Sequence, residues 1–308
     1  MPLATVHVDD GKMARMPALS RRAVFRLGVG AAVGAAGAYA LGSAPVGVTS
    51  PASPVLSPPF PSPAPLQPAA AAAPTYVTGS FVSAARGGVN TNWAIARPPG
   101  QTGSLRPVIA LHGKGDDAAS VMAGVVEQGL AQAVAAGLPP FAVVAVDGGG
   151  SYWHKRASGE NSGAMVLDEL IPMLGEQGLD TSRVAFLGWS MGGYGALLLG
   201  TRLGPARTAA ICAVSPALWT SSGAAAPGAF DSADDYAANS VWGQPALASI
   251  PIRIDCGNSD PFYAATKQFI AELPNPPAGG FSPGGHNGGF WSSQLPDELT
   301  WMAPLLTA

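Results

Sequence analysis

The chain has 308 residues, a formal charge of −3, and 11% charged against 47% hydrophobic residues, with 40 glycines and 30 prolines. That length buries a substantial core, and the shortage of charge with the wealth of turn formers describes a compact fold rather than solvated helices. A sequence pI near 5.8 provides no basic field, so nucleic acid is excluded as a partner.

Ser20-Arg21-Arg22-Ala23-Val24-Phe25 sets paired arginines before a weakly apolar stretch over 27–41, and no charge follows until Arg86. Residues 1–44 therefore read as a twin-arginine-type export signal, too short and too rich in Gly and Ala for a comfortable membrane span. Ala38, Ala40 and Ala44 each suit a cleavage site, and an uncleaved signal would serve as an anchor. Residues 45–74 hold ten prolines among Ala and Ser, the composition of an extended linker. The catalytic domain is assigned to 75–308, and the chain is expected outside the cell or at its envelope.

Alternating β-formers over 76–84 and 89–96 flank Arg86-Gly87-Gly88 and predict an opening hairpin. The pattern then changes to short, nearly continuous apolar runs at 107–111, 141–146, 184–187, 208–214 and 250–256, as strands buried on both faces require. Helical periodicity lies between them at 118–136, capped by Asp117, and at 164–174, 191–203 and 262–273. Such alternation means an α/β fold with a mostly parallel central sheet and helices on both faces. Residues 217–245 interrupt it with Trp219, Phe230, Tyr236 and Trp242, as an acyl or aromatic-ester pocket or as a satellite core. Cys212 and Cys256 fall inside apolar runs and are expected to be buried thiols.

Gly188-Trp189-Ser190-Met191-Gly192 follows one apolar run and opens a helix. This is the setting of a nucleophile elbow, where a serine sits on a strained turn that only small neighbours permit. A serine hydroxyl needs an imidazole to take its proton and a carboxylate to fix the imidazole tautomer. Of four histidines, at 7, 112, 154 and 286, only His286 follows Ser190, as the Ser, acid, His chain order of this fold demands. Asp260 lies beyond the run 250–256 and is the preferred acid, with Asp255, inside that run, as its rival. Two backbone N–H groups should face the oxyanion, one from Met191 and one from the loop Leu111-His112-Gly113-Lys114-Gly115, with Lys114 first and Gly113 second. His112 is expected to shape that loop, and Gly148-Gly149-Gly150-Ser151-Tyr152-Trp153-His154 to line the same mouth or form a plain turn.

Leu111-His112-Gly113, Gly188 to Ala196, Ser215-Pro216, Cys256 to Asp260 and Gly285-His286 together resemble the esterase D and antigen 85 group of esterases, across most of 75–308. The resemblance implies an α/β-hydrolase fold, a triad on Ser190, Asp260 and His286, and oxyanion donors at Met191 and Lys114. His112 departs from the acidic position of the mycolyltransferases in that group, as Asp260 does from their usual Glu. The chain is accordingly expected to be an exported serine carboxylic-ester hydrolase acting on small-molecule or lipid acyl esters, without metal or organic cofactor. An acyltransferase to a sugar hydroxyl and an inactive envelope- or carbohydrate-binding relative are the alternatives.

Overall fold

The computed structural model describes residues 75–123 and 125–307. The assigned signal and linker lie outside these residues. Among the described residues no helix is long and apolar enough to cross a membrane.

Eight strands form one sheet: β1 (Tyr76–Ser83), β2 (Val89–Ala96), β3 (Pro107–Leu111), β4 (Ala142–Val146), β5 (Val184–Trp189), β6 (Thr208–Val214), β7 (Ile252–Gly257) and β8 (Ala278–Ser282). Their order is β1-β2-β4-β3-β5-β6-β7-β8. β1 and β2 run antiparallel to each other, β2 runs antiparallel to β4, and β3 to β8 are mutually parallel. The helices are α1 (Ala118–Met122), α2 (Val126–Ala135), α3 (Ser162–Ala164), α4 (Ile171–Glu176), α5 (Met191–Leu203), α6 (Ala233–Ala238), α7 (Tyr263–Glu272) and α8 (Gly288–Leu305).

The apolar runs are buried on both faces because each face has its own core. Val184 and Phe186 of β5 join Ile109, Ile211, Leu197 and Phe269 on one side, while Ala185 and Leu187 join Val108, Cys212, Leu130 and Leu299 on the other. The period-2 alternation of strand side chains thus divides α4, α5 and α7 from α1, α2 and α8. At about 25 cal/mol per Å² of apolar area, this double burial is what holds the central strands.

The single helix expected over 118–136 is two, since Ala123 leaves helical geometry at φ −66° and ψ 99°. Between α3 and α4 the backbone takes a π-helical turn over Met165–Leu170, which ends where Pro172 has no N–H to continue the regular ladder. β8 and α8 have no counterpart in the sequence reading. β8 carries Gly279 and Gly280, and α8 contains Pro296 and Pro304, residues that break local patterns yet are tolerated where tertiary burial of Leu295, Leu299 and Met302 holds the helix. Cys212 and Cys256 are buried and unpaired, and burial pushes both thiols up, Cys256 to about 12.

Candidate active site

Ser190 stands between the last residue of β5 and the first of α5, with φ 55° and ψ −117°. A positive φ is costly for a non-glycine residue and persists only where the surroundings impose it. They do so here through three backbone bonds: Ser190 N–H donates to Val214 O at 3.0 Å, and Ser190 O accepts from Tyr194 N at 3.1 Å and Ala217 N at 3.0 Å. The close approach of the chain explains the flanking glycines. A side chain at Gly188 would strike the Gly192 backbone, and one at Gly192 would strike the Leu111 carbonyl.

His286, on the loop between β8 and α8, places Nε2 2.8 Å from Ser190 Oγ. Its Nδ1 lies 2.9 Å from Asp260 Oδ2, and Asp260 Oδ1 accepts from Phe262 N–H at 2.8 Å. Asp260 sits on the turn after β7, its side chain fully buried. Burial raises the Asp260 carboxyl, but the hydrogen bonds from His286 and Phe262 outweigh it and hold the group below its ordinary range, so it is an anion at neutral pH. The His286 ring meets both Phe262 and Trp291 edge-to-face, each ring centroid 5.2 Å from its own. Neither aromatic was singled out from the sequence. Phe262 lies in a capping turn, and Trp291 in the glycine- and proline-bearing helix α8.

Asp255 is elsewhere. On β7 it is buried and receives Arg253 Nε at 2.6 Å and Nη2 at 3.2 Å, a structural pair on its own strand.

On the other side of Ser190, the loop after β3 brings Gly113 against it: a Cβ on Gly113 would lie 3.7 Å from Ser190 Cβ. Lys114 follows, exposed, with Nζ 5.7 Å from the centroid of the Tyr152 ring. Met191 opens α5, directly after the serine, and its backbone N–H belongs to the first turn, whose donors lack partners within the helix. His112 is buried, with Nδ1 2.7 Å from Gly113 O and Nε2 accepting the Gly148 N–H at 2.8 Å. One nitrogen faces a carbonyl and the other an N–H, so the ring is neutral with its proton on Nδ1. Burial lowers its basicity in the same sense. His112 thereby ties the loop beside the serine to the turn after β4, and Trp153 fills the space left by Gly148 and Gly195.

Of the aromatics of 217–245, Trp219 is part of the main core on the α5 and α7 side and Phe230, Tyr236 and Trp242 pack against it, with Trp242 also lining a separate cavity of about 240 Å³. Trp219 O accepts from Tyr236 Oη at 2.6 Å and Trp242 Nε1 at 2.9 Å, and Trp219 meets Phe262 edge-to-face at 5.6 Å. Next to the elbow, between the β3–α1 loop and α8, lies a cavity of about 370 Å³ lined by Gly113, Val121, Trp189, Trp291 and Leu295 together with His112, Asp116, Ser120 and Ser292. A serine hydroxyl, an imidazole in contact with it, a buried carboxylate behind and a recess of mixed polarity nearby make up the equipment for acyl transfer.

The family model described as putative esterase matches residues 88–302. Among solved structures, a ferulic acid esterase is 20% identical with a TM-score of 0.63, covering 75% of this chain and 97% of its own. An S-formylglutathione hydrolase from Agrobacterium tumefaciens is 21% identical with a TM-score of 0.57, over 75% of this chain and 95% of its own. MPT51 of Mycobacterium tuberculosis is 19% identical with a TM-score of 0.61, over 76% and 100%. At these identities the structural likeness speaks for the α/β-hydrolase fold. No match to a curated protein accompanies them.

Proposed function

This chain belongs to that esterase family, and from this premise we propose that it is an exported carboxylic-ester hydrolase working through an acyl-Ser190 intermediate. The observation that carries the reading is the unbroken line from Ser190 Oγ through His286 to Asp260, with bonds of 2.8 and 2.9 Å.

In this reading His286 Nε2 takes the Ser190 proton as Oγ attacks the ester carbonyl, and Asp260 holds the imidazole with its other proton on Nδ1 and stabilises the imidazolium. Negative charge developing on the carbonyl oxygen is met by the N–H of Met191 and a second N–H from the Gly113-Lys114 loop, with Lys114 preferred, and losing one such donor costs about 3 kcal/mol. The first turn of α5 adds its dipole in the same direction. His286 then protonates the leaving alcohol, which departs, and activates the water that releases the acid. The proton first taken from Ser190 leaves on the alcohol, and the one His286 takes from water passes to Ser190 Oγ as the acid departs, so the enzyme ends in its starting state.

Small-molecule esters are the substrates, and the recess at Trp189 and Trp291, with Asp116 and Ser120 in its lining, has room for a small group of mixed polarity. Export, and with it envelope association, is supported by the arginine pair ahead of the apolar stretch 27–41. A fluorophosphonate added to the full chain tests the reading: labelling at Ser190, found by peptide mass spectrometry and blocked by a hydrolysed p-nitrophenyl ester, supports it. Labelling at another serine, or none alongside ester turnover, refutes it. Running the ester with glycerol present reports transfer to an alcohol in the same assay.

A further inference from the structure

Behind the site, α8 carries one acid into the core. Glu298 is 0% exposed, and neither carboxylate oxygen has a hydrogen-bond partner. A Glu298 oxygen, Cys212 Sγ on β6 and an Asp255 oxygen on β7 lie within 4.8 Å of one another. The cation whose field reaches Glu298, Arg253, gives its Nε and Nη2 donors to Asp255 and makes no hydrogen bond to Glu298. Asp297, the neighbour on α8, adds negative field. From α2 the contact is apolar, through Gly129 and Leu130 against Leu299, and the acid of α2, Glu127, accepts from Thr75 Oγ1 instead.

A buried carboxylate without a hydrogen-bond partner, its nearest cation paired with another acid, is so unfavourable that the group neutralises instead. Ionised, Glu298 would give the cluster two acids against one guanidinium. Protonated, it leaves an ion pair, a thiol and a neutral acid, with no net charge. A metal ion in this place would meet the Arg253 guanidinium that already holds Asp255, so the geometry favours the proton.

We propose that Glu298 is a positioning residue for His286: as a neutral acid it seats α8 on β6 and β7, and its ionisation unseats the helix that begins two residues after His286. This rests on the reading of His286 as the base. Burial first, and the field of Asp255 second, push the Glu298 carboxyl well above the ordinary carboxylate range. The sign follows. A group that holds its proton more tightly folded than unfolded stabilises the fold most below its unfolded value, and that stability is lost steadily as pH rises towards the folded one. Stability therefore falls as pH rises above about 4.3, and His286 placement weakens once Glu298 ionises in the folded protein.

The test uses the full chain with Glu298→Gln, which copies the neutral acid, and Glu298→Met, which removes the polar group at similar length. Tm and the kcat and KM of a short p-nitrophenyl ester are followed from mildly acidic to strongly alkaline pH. Expected are a higher Tm in Glu298→Gln, by a margin that widens with pH, and an alkaline fall of kcat displaced upward by about one pH unit or more, tenfold in rate at a fixed alkaline pH, with KM unchanged. Glu298→Met should also lack the alkaline Tm slope. Parallel Tm curves for wild type and Glu298→Gln, or an unmoved kcat profile, would overturn the proposal. So would a Tm rise on adding Zn2+ that Cys212→Ala abolishes, which would make the cluster a cation site. Should Ser190→Ala retain ester turnover, the functional reading fails while the Tm curves still judge the seating of α8.

Discussion

His286 Nδ1 lies 2.9 Å from Asp260 Oδ2, while Asp255, five residues earlier, is paired with Arg253 at 2.6 Å. The two carboxylates differ in kind, and their amides should too. Asp260→Asn is expected to lower kcat by about 10⁴ at neutral pH, the scale known from another triad enzyme, because the amide leaves the wrong imidazole tautomer facing Ser190. Folding should survive. Asp255→Asn should instead lower thermal stability, leaving Arg253 without its anion, and reduce turnover only through the folded fraction. Measuring kcat beside Tm for both variants separates them, and a dead but stable Asp255→Asn would reverse the assignment.

His112 joins Gly113 O and Gly148 N–H at 2.7 and 2.8 Å and so fixes the loop that faces the oxyanion. His112→Phe keeps the volume and loses both bonds. It should cut kcat by on the order of 10²-fold with little change in KM, because the misplaced loop donor acts chiefly in the transition state. Burial lowers the His112 pKa, so the unfolded chain binds the proton more readily than the folded one. Its stabilisation is therefore complete above about pH 6.5 and is lost as pH falls below that value. The acid-side slope of Tm against pH should be shallower in His112→Phe. An equal slope in both proteins would contradict this account of the loop.

Gly192 has no room for a Cβ, since the Leu111 carbonyl occupies the space. Gly192→Ala should destabilise by about 1–3 kcal/mol through overpacking and displace β3 from the elbow, with loss of activity larger than the loss of folded protein. Circular dichroism melts beside active-site labelling check this. Gly103, with nothing near its Cβ, is the matched control and should tolerate alanine.

The proposed export rests on Arg21 and Arg22. Replacing both with Lys in a fusion of residues 1–74 to a reporter active only after export should abolish the signal. Unchanged export would remove this part of the reading.

Much of the fold was legible because parallel strands buried on both faces announce themselves as apolar runs, and the interval between runs has helical period. β6, for instance, spans Thr208–Val214, the full extent of its run. Ser190 was legible because glycines on both sides reflect a real steric limit at Gly188 and Gly192. His286 needed chain order alone. What local pattern concealed was β8 and α8: glycines and prolines there oppose strand and helix propensity, and tertiary burial overrides them. Trp291, which packs on the His286 ring, and Glu298 were hidden with α8, while Phe262 stood at the start of an expected helix with nothing local to mark its contact with His286. The aromatics of 217–245 could be read either way from composition. Burial of Trp219 in the main core, with Phe230, Tyr236 and Trp242 packed against it, places them there.

The account stands most directly on Ser190→Ala. The Oγ is the atom from which the acyl-enzyme is built, and the elbow is held by backbone bonds to Val214, Tyr194 and Ala217 that do not involve it. The variant should fold with wild-type Tm and lose p-nitrophenyl ester turnover by on the order of 10⁶ in kcat, the scale for a triad nucleophile. Near-wild-type turnover in well-folded Ser190→Ala protein would contradict the account.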